Sequence, residues 1–229
     1  MKYTHLFFDL DDTLWDFRAN AGEALREAFD KYRFSDFFKD FEHFFNLYTG
    51  HNVELWELYR QGKITKAELN KERFLHPLRE VGENNEVLAL AFGNDFLRIS
   101  PTKTHLVKGA RETLEYLSKN NYSLAIISNG FPELQHDKLK NTGIAEFFDK
   151  VFLSESIGRH KPHREIFDYA VKSTNARKKQ SLMIGDNWET DIAGARLAGI
   201  DQVYFGEIFK WDKAPTFQVD FLEEMKGFL

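Results

Sequence analysis

Leu6-Phe7-Phe8-Asp9-Leu10-Asp11-Asp12-Thr13-Leu14 is the stretch that decides the fold. A short apolar run that stops at a cluster of carboxylates reads as a buried strand with its chemistry at the carboxyl end. Asp9 and Asp11 are two residues apart, so on a continuing strand both side chains face the same way. Two more runs repeat the form. Leu124-Ala125-Ile126-Ile127 leads into Ser128-Asn129-Gly130, and Leu182-Met183-Ile184 leads into Gly185-Asp186-Asn187, with Asp191 a helical turn further on. A fourth strand, Val151-Phe152-Leu153, is followed by a loop carrying Lys161 beside Pro162.

Between these runs lie helical patterns over residues 110–119, 132–141, 164–173 and 189–197, and a last strand is expected at residues 202–205. Such alternation predicts a parallel sheet covered by helices on both faces, a doubly wound α/β fold. From Trp15 to about Leu97 the rhythm is helical only, with candidate helices at residues 21–32, 36–59, 66–81 and 87–97. Thr65 and Glu68 form a capping box, and an Asn at residue 84 or 85 is placed to cap the helix that follows. The chain is therefore expected to fold as a catalytic core of residues 1–14 and 102–229, interrupted by a helical domain of residues 15–101. The two crossings are candidate hinges. Phe34, Phe37, Phe38, Phe41 and Phe45 follow the spacing of one helical face and predict a core stripe. An aromatic-rich insert is also able to stack a nucleobase.

Composition narrows the class. A 229-residue chain with 42% hydrophobic and 29% charged residues has the balance of a globular protein. The formal charge of −5, with no basic tract, argues against polymeric nucleic acid as a partner. No apolar run is long enough for a membrane span, and Asp9, Asp11 and Asp12 come too early for a signal-peptide core, so a cytoplasmic protein is expected. With no Cys, disulfides, thiolate metal sites and thiol catalysis are excluded. The histidines show no paired metal-ligand spacing.

In an open parallel sheet ligands bind beyond the carboxyl ends of the strands, where these polar clusters meet. Gathered carboxylates repel one another and favour a hard divalent cation; oxygen ligands favour Mg²⁺. A metal, a lysine and the backbone N–H groups of Asn129-Gly130 form a clamp for a phosphoryl group. One of Asp9 and Asp11 could attack phosphorus while the other protonates the leaving oxygen.

Asp9-Leu10-Asp11-Asp12-Thr13-Leu14, Ser128, Lys161-Pro162 and Gly185-Asp186 through Asp191 together resemble the four motifs of the haloacid dehalogenase-like hydrolases. That resemblance implies a Rossmann-like core with an inserted all-helical (type C1) cap. It also implies a Mg²⁺-dependent phosphomonoester hydrolase working through an aspartyl-phosphate. By the same resemblance Asp9 is the nucleophile and Asp11 the general acid/base. Mg²⁺ is held by Asp9, the main-chain carbonyl of Asp11, and Asp186. Ser128 and Lys161, with Asn129, bind the phosphoryl oxygens; Thr13 supports the loop, and Asp191 meets the metal through its ligands or a water. Within the superfamily, Asp16-Phe17, Ile127 to Leu139 and Ser154 through Pro162 are similar to 5′-nucleotidases acting on pyrimidine nucleotides. The expected partner is a small phosphorylated metabolite, a nucleotide first.

Several alternatives stay open. A phosphoglycolate or sugar-phosphate phosphatase would use the same machinery. A phosphoglucomutase-like phosphotransferase keeps Asp11 but gives no net phosphate release. A non-catalytic phosphate-binding module has no reason to keep both acids and Lys161. A dehalogenase of the same superfamily lacks the acid at the position of Asp11, and a response-regulator receiver lacks the long insertion.

Overall fold

The computed structural model describes residues 2–207 and 213–229. It divides into two compact units, one made of Met1–Phe17 and Thr104–Leu229, the other of Arg18–Lys103. Among the described residues no helix is long and apolar enough to cross a membrane.

The first unit is Rossmann-like. Its strands are β1 (His5–Phe8), β2 (Ser123–Ser128), β3 (Lys150–Leu153), β4 (Ser181–Gly185), β5 (Asp201–Phe205) and β6 (Phe217–Val219). They form one sheet in the order β3-β2-β1-β4-β5-β6, with every pairing parallel. Successive side chains point to opposite faces, and both faces are apolar. Leu6, Phe8, Ile126 and Ile184 pack on one side with Leu114 and Leu117 of α5 (Ala110–Lys119). Phe7, Ile127 and Met183 pack on the other with Phe167 and Ala170 of the helix Arg164–Ser173. Phe8 is in register with Ile126 on one side and Ile184 on the other. The strands β1, β2 and β4 therefore end together, where the strand order turns back on itself.

The second unit is helical: α1 (Phe17–Lys31), which starts at the junction, α2 (Phe41–Arg60), α3 (Lys66–Glu80) and α4 (Glu86–Ile99). The caps are side-chain devices of the expected kind, each contributing about 1 kcal/mol. The N–H of Glu68 donates to Thr65 Oγ1 while Glu68 accepts from the Thr65 N–H, and Asn85 accepts from the Leu88 N–H.

Four expectations need adjustment. The phenylalanine stripe is not one helix. Arg33 takes a left-handed backbone (φ 52°), Phe34–Asp36 form a 3₁₀ turn, and α2 starts only after Asp40, whose carboxylate accepts from the His43 N–H. The rings still converge, because Phe34, Phe38, Phe41 and Phe44 are buried and Phe34 stacks on Phe92 at 4.4 Å. These rings fill the core of the unit and so offer no surface to a base. Trp15 stays with the sheet unit, not the helical one, because Leu14 O accepts from the Val107 N–H and Trp15 bridges to Leu106. The single helix expected at 189–197 is a wide π-type turn, Trp188–Ala193, running into a short α-helix, Gly194–Ala198. Finally, β6 is an added edge strand of three residues.

Candidate active site

Asp9 is the first residue beyond β1, and its N–H still donates to Ile184 O at 2.9 Å, extending the ladder toward β4. The chain then turns sharply. The N–H groups of Leu14 and Trp15 both donate to Leu10 O, and Asp12 adopts φ 59°. This turn ends the strand, so the loop rather than the pleat of a continuing strand sets the directions of Asp9 and Asp11. Their carboxylates go to different partners.

The Asp9 carboxylate accepts from Lys161 Nζ at 2.6 Å. Lys161 is 2% exposed, and its ammonium also contacts Asp191 Oδ1 at 2.6 Å. The backbone of Lys161 is clasped on both sides by the Asn129 amide, which accepts from the Lys161 N–H at 2.8 Å and donates to its carbonyl at 3.0 Å. The Asn129 side chain thus helps to place Lys161. Asp191 owes its place to the π-type turn, which carries one extra residue and is a common device at functional sites. Its second oxygen accepts from the Asn187 N–H at 3.1 Å, and it lies so close over Gly185 that a Cβ there would sit 2.3 Å from the carboxylate.

Asp186 follows β4 and is joined to the first loop through Thr13. Thr13 Oγ1 donates to Asp186 Oδ1 at 2.8 Å and accepts from the Asp186 N–H at 3.1 Å. Thr13 therefore ties two loops together, a larger part than supporting its own. Ser128, the last residue of β2, accepts at Oγ from the Gly130 N–H (3.0 Å) and from Gln135 Nε2 (2.9 Å), which leaves its own proton to donate.

Oxygens of Asp9, Asp186 and Asp191 lie within 4.8 Å of one another. Three carboxylates here face one ammonium. Burial, only partly offset by Lys161 and reinforced by Asp191, Asp186 and Asp11, holds the Asp9 carboxyl well above the usual range. Burial and the charge of Asp191 push Asp186 up to about 7. Burial opposes the charge on Lys161, but Asp191 and Asp9 overcome it and raise its affinity for the proton. An excess of buried negative charge on hard oxygen donors fits Mg²⁺. Asp9 meets Lys161 through Oδ1 and Asp186 meets Thr13 through Oδ1, whereas both oxygens of Asp191 are engaged. The Asp11 carboxylate is not among the clustered ligand atoms.

That carboxylate instead meets two residues of α6 (Pro132–Asn141) that the sequence reading did not single out as site residues. Lys138 Nζ contacts Asp11 Oδ1 at 2.5 Å, and Gln135 Nε2 donates to Asp11 Oδ2 at 2.7 Å. A signal was present: Gln135 and Lys138 share the inward stripe of α6 with Leu139, an unusual position for two long polar side chains.

The family model for haloacid dehalogenase-like hydrolases matches residues 3–199. The chain is 32% identical to the pyrimidine 5′-nucleotidase YjjG of Escherichia coli, covering 100% of this chain and 99% of that protein. It is also 32% identical to a glyceraldehyde 3-phosphate phosphatase of Pyrococcus furiosus, over 87% of this chain and 79% of the other. Among solved structures, the magnesium-bound HAD-hydrolase YfnB of Bacillus subtilis superposes with a TM-score of 0.88 at 29% identity, covering 99% and 98% of the two chains.

Proposed function

The chain belongs to the haloacid dehalogenase-like hydrolases, and from that membership we propose that it is a Mg²⁺-dependent phosphatase acting on pyrimidine nucleoside 5′-monophosphates. The observation that carries the chemistry is the buried Asp9 carboxylate, steadied by Lys161 and set beside Asp186 at the end of the central strand. Asp9 and Asp186 would hold Mg²⁺, which supplies positive charge against the carboxylates and the phosphoryl oxygens.

The chain's own residues do the rest. Asp9 attacks phosphorus, a P–O bond to Asp9 forms, and the P–O bond to the sugar oxygen breaks. The leaving oxygen takes a proton from Asp11. Water then attacks the phospho-Asp9, gives a proton back to Asp11, and frees the Asp9 carboxylate and inorganic phosphate. Ser128 donates its hydroxyl to a phosphoryl oxygen, joined by the N–H groups at Asn129-Gly130, and Lys161 keeps Asp9 aligned. A phosphorylated substrate is favoured over a haloacid because Asp11 is retained and held in place.

Nucleotides are preferred because similarity to the E. coli pyrimidine 5′-nucleotidase runs the full length of both chains, including the helical unit. A phosphate-release panel with Mg²⁺ tests this, comparing pyrimidine and purine monophosphates, hexose phosphates, glyceraldehyde 3-phosphate and phosphoglycolate. The highest kcat/KM is expected for a pyrimidine monophosphate. A triose or hexose phosphate, or phosphoglycolate, at the head of the panel would overturn the nucleotide assignment and leave the phosphatase chemistry intact.

A further inference from the structure

Lys138 is a lysine placed where lysines are rarely found. It is 4% exposed, its ammonium lies 4.1 Å from the centre of the buried Trp15 ring, and its anionic contact is Asp11. Burying an ammonium is costly, and a buried ion pair is often no more stable than apolar residues filling the same volume. Stability alone is thus a weak reason for a lysine here, where a methionine would pack against Trp15 at lower cost.

Its effect on Asp11 is specific. Lys138 engages Oδ1 and Gln135 engages Oδ2, so both oxygens of one carboxyl group are tied to a single helix. The same Gln135 nitrogen donates to Ser128 Oγ, and Gln135 itself is fully buried. Gln135 reaches this position only because residue 130 is glycine; a Cβ there would stand 1.7 Å from Gln135 Nε2. Asp11 lies beyond the end of β1 in a loop, whereas its two partners stand on adjacent turns of a helix packed on the sheet.

We propose that Lys138, with Gln135, is a positioning residue for proton transfer: it sets the orientation of the Asp11 carboxyl toward the oxygen that leaves phosphorus. The inference rests on the phosphatase reading, and within it assigns a task to two residues outside the four family motifs. Proton donation matters in proportion to the basicity of the leaving oxygen. A sugar alkoxide must be protonated as the bond breaks, whereas a nitrophenolate leaves unaided. Loss of alignment at Asp11 should therefore penalise a nucleotide and largely spare an aryl phosphate.

The test is the ratio of kcat/KM for a pyrimidine monophosphate to that for p-nitrophenyl phosphate, measured with Mg²⁺ on one sample of each variant. This ratio does not depend on what fraction of a variant is folded. Lys138→Met is expected to lower it by about tenfold or more, a part of the 10²–10⁴ that general acid catalysis supplies. Lys138→Arg keeps a cation in reach of Asp11 and is expected to restore most of the ratio, and Gln135→Leu to lower it as Lys138→Met does. An unchanged ratio in Lys138→Met, whatever the absolute rates, would show a purely structural lysine and overturn the inference. Wild-type protein that releases neither product would overturn the phosphatase reading itself.

Discussion

With an aryl phosphate, Asp11→Asn is expected to release phenol in a burst close to the enzyme concentration, followed by slow turnover. The variant keeps Asp9 and the Lys161 that holds it, so the phospho-enzyme still forms when the leaving group needs no proton. It lacks the base that activates water, so the phospho-enzyme persists. With a nucleotide the first step suffers as well, and kcat/KM should fall by about 10²–10⁴-fold. Asp9→Asn should give no burst with either substrate, because an amide is a far poorer nucleophile toward phosphorus. Stopped-flow release of phenol separates the two variants. A burst from Asp9→Asn, or equal losses at both steps with Asp11→Asn, would mean that the two carboxylates have been given each other's work.

The second large effect is expected at Asp186. Replacing it with Ala removes one of the three clustered carboxylates, and most turnover should go with it. A gentler variant, Asp186→Asn, reads the same site through stability. In the Mg²⁺-free protein the Asp186 carboxyl is raised to about 7, above its ordinary value of about 3.8. A raised carboxyl binds its proton more tightly in the folded state, so its contribution to stability is present at low pH and is lost as pH rises from about 4 to about 7. Tm of the Mg²⁺-free wild type should therefore fall through that range relative to Asp186→Asn. Added Mg²⁺ should recover it above about pH 7, where the carboxylate is free to bind metal. Parallel curves for the two proteins, with and without Mg²⁺, would show that the metal site lies elsewhere.

What the sequence made legible follows from how strongly each feature is constrained. Leu6-Phe7-Phe8, Leu124 to Ile127 and Leu182 to Ile184 are buried on both faces, so they appear as unbroken apolar runs, and each stops where polar chemistry starts. Their joint pattern put Asp9, Ser128, Lys161, Asp186 and Asp191 on one sheet edge, although Lys161 alone reads as a solvated surface lysine. The phenylalanine stripe misled because spacing records which residues go inside, not whether the helix between them is continuous. Arg33 and Asp40 interrupt it without disturbing the burial of Phe34, Phe38 and Phe41. Three residues at Phe217–Val219 are too few to show an alternation, so the edge strand was silent.

At the site itself the hidden part is second contacts. The clasp of Asn129 on the Lys161 backbone and the link from Thr13 to Asp186 span 32 and 173 residues along the chain, and no local pattern reports such a pairing. Gln135 and Lys138 are hidden for another reason. Long polar side chains on a helix are normally read as its wet face, and only their phase relative to Leu139 marks them as inward.

The covalent bond between phosphorus and Asp9 can be trapped during turnover. Acid-quenching the wild-type enzyme or Asp11→Asn during turnover of a labelled phosphomonoester with Mg²⁺, then digesting and mapping the label, tests it directly. A phosphoryl group is expected on the peptide that spans Asp9, absent from Asp9→Asn and slow to clear from Asp11→Asn. Label on another residue, or full turnover with no label retained at any time even in Asp11→Asn, would contradict that expectation.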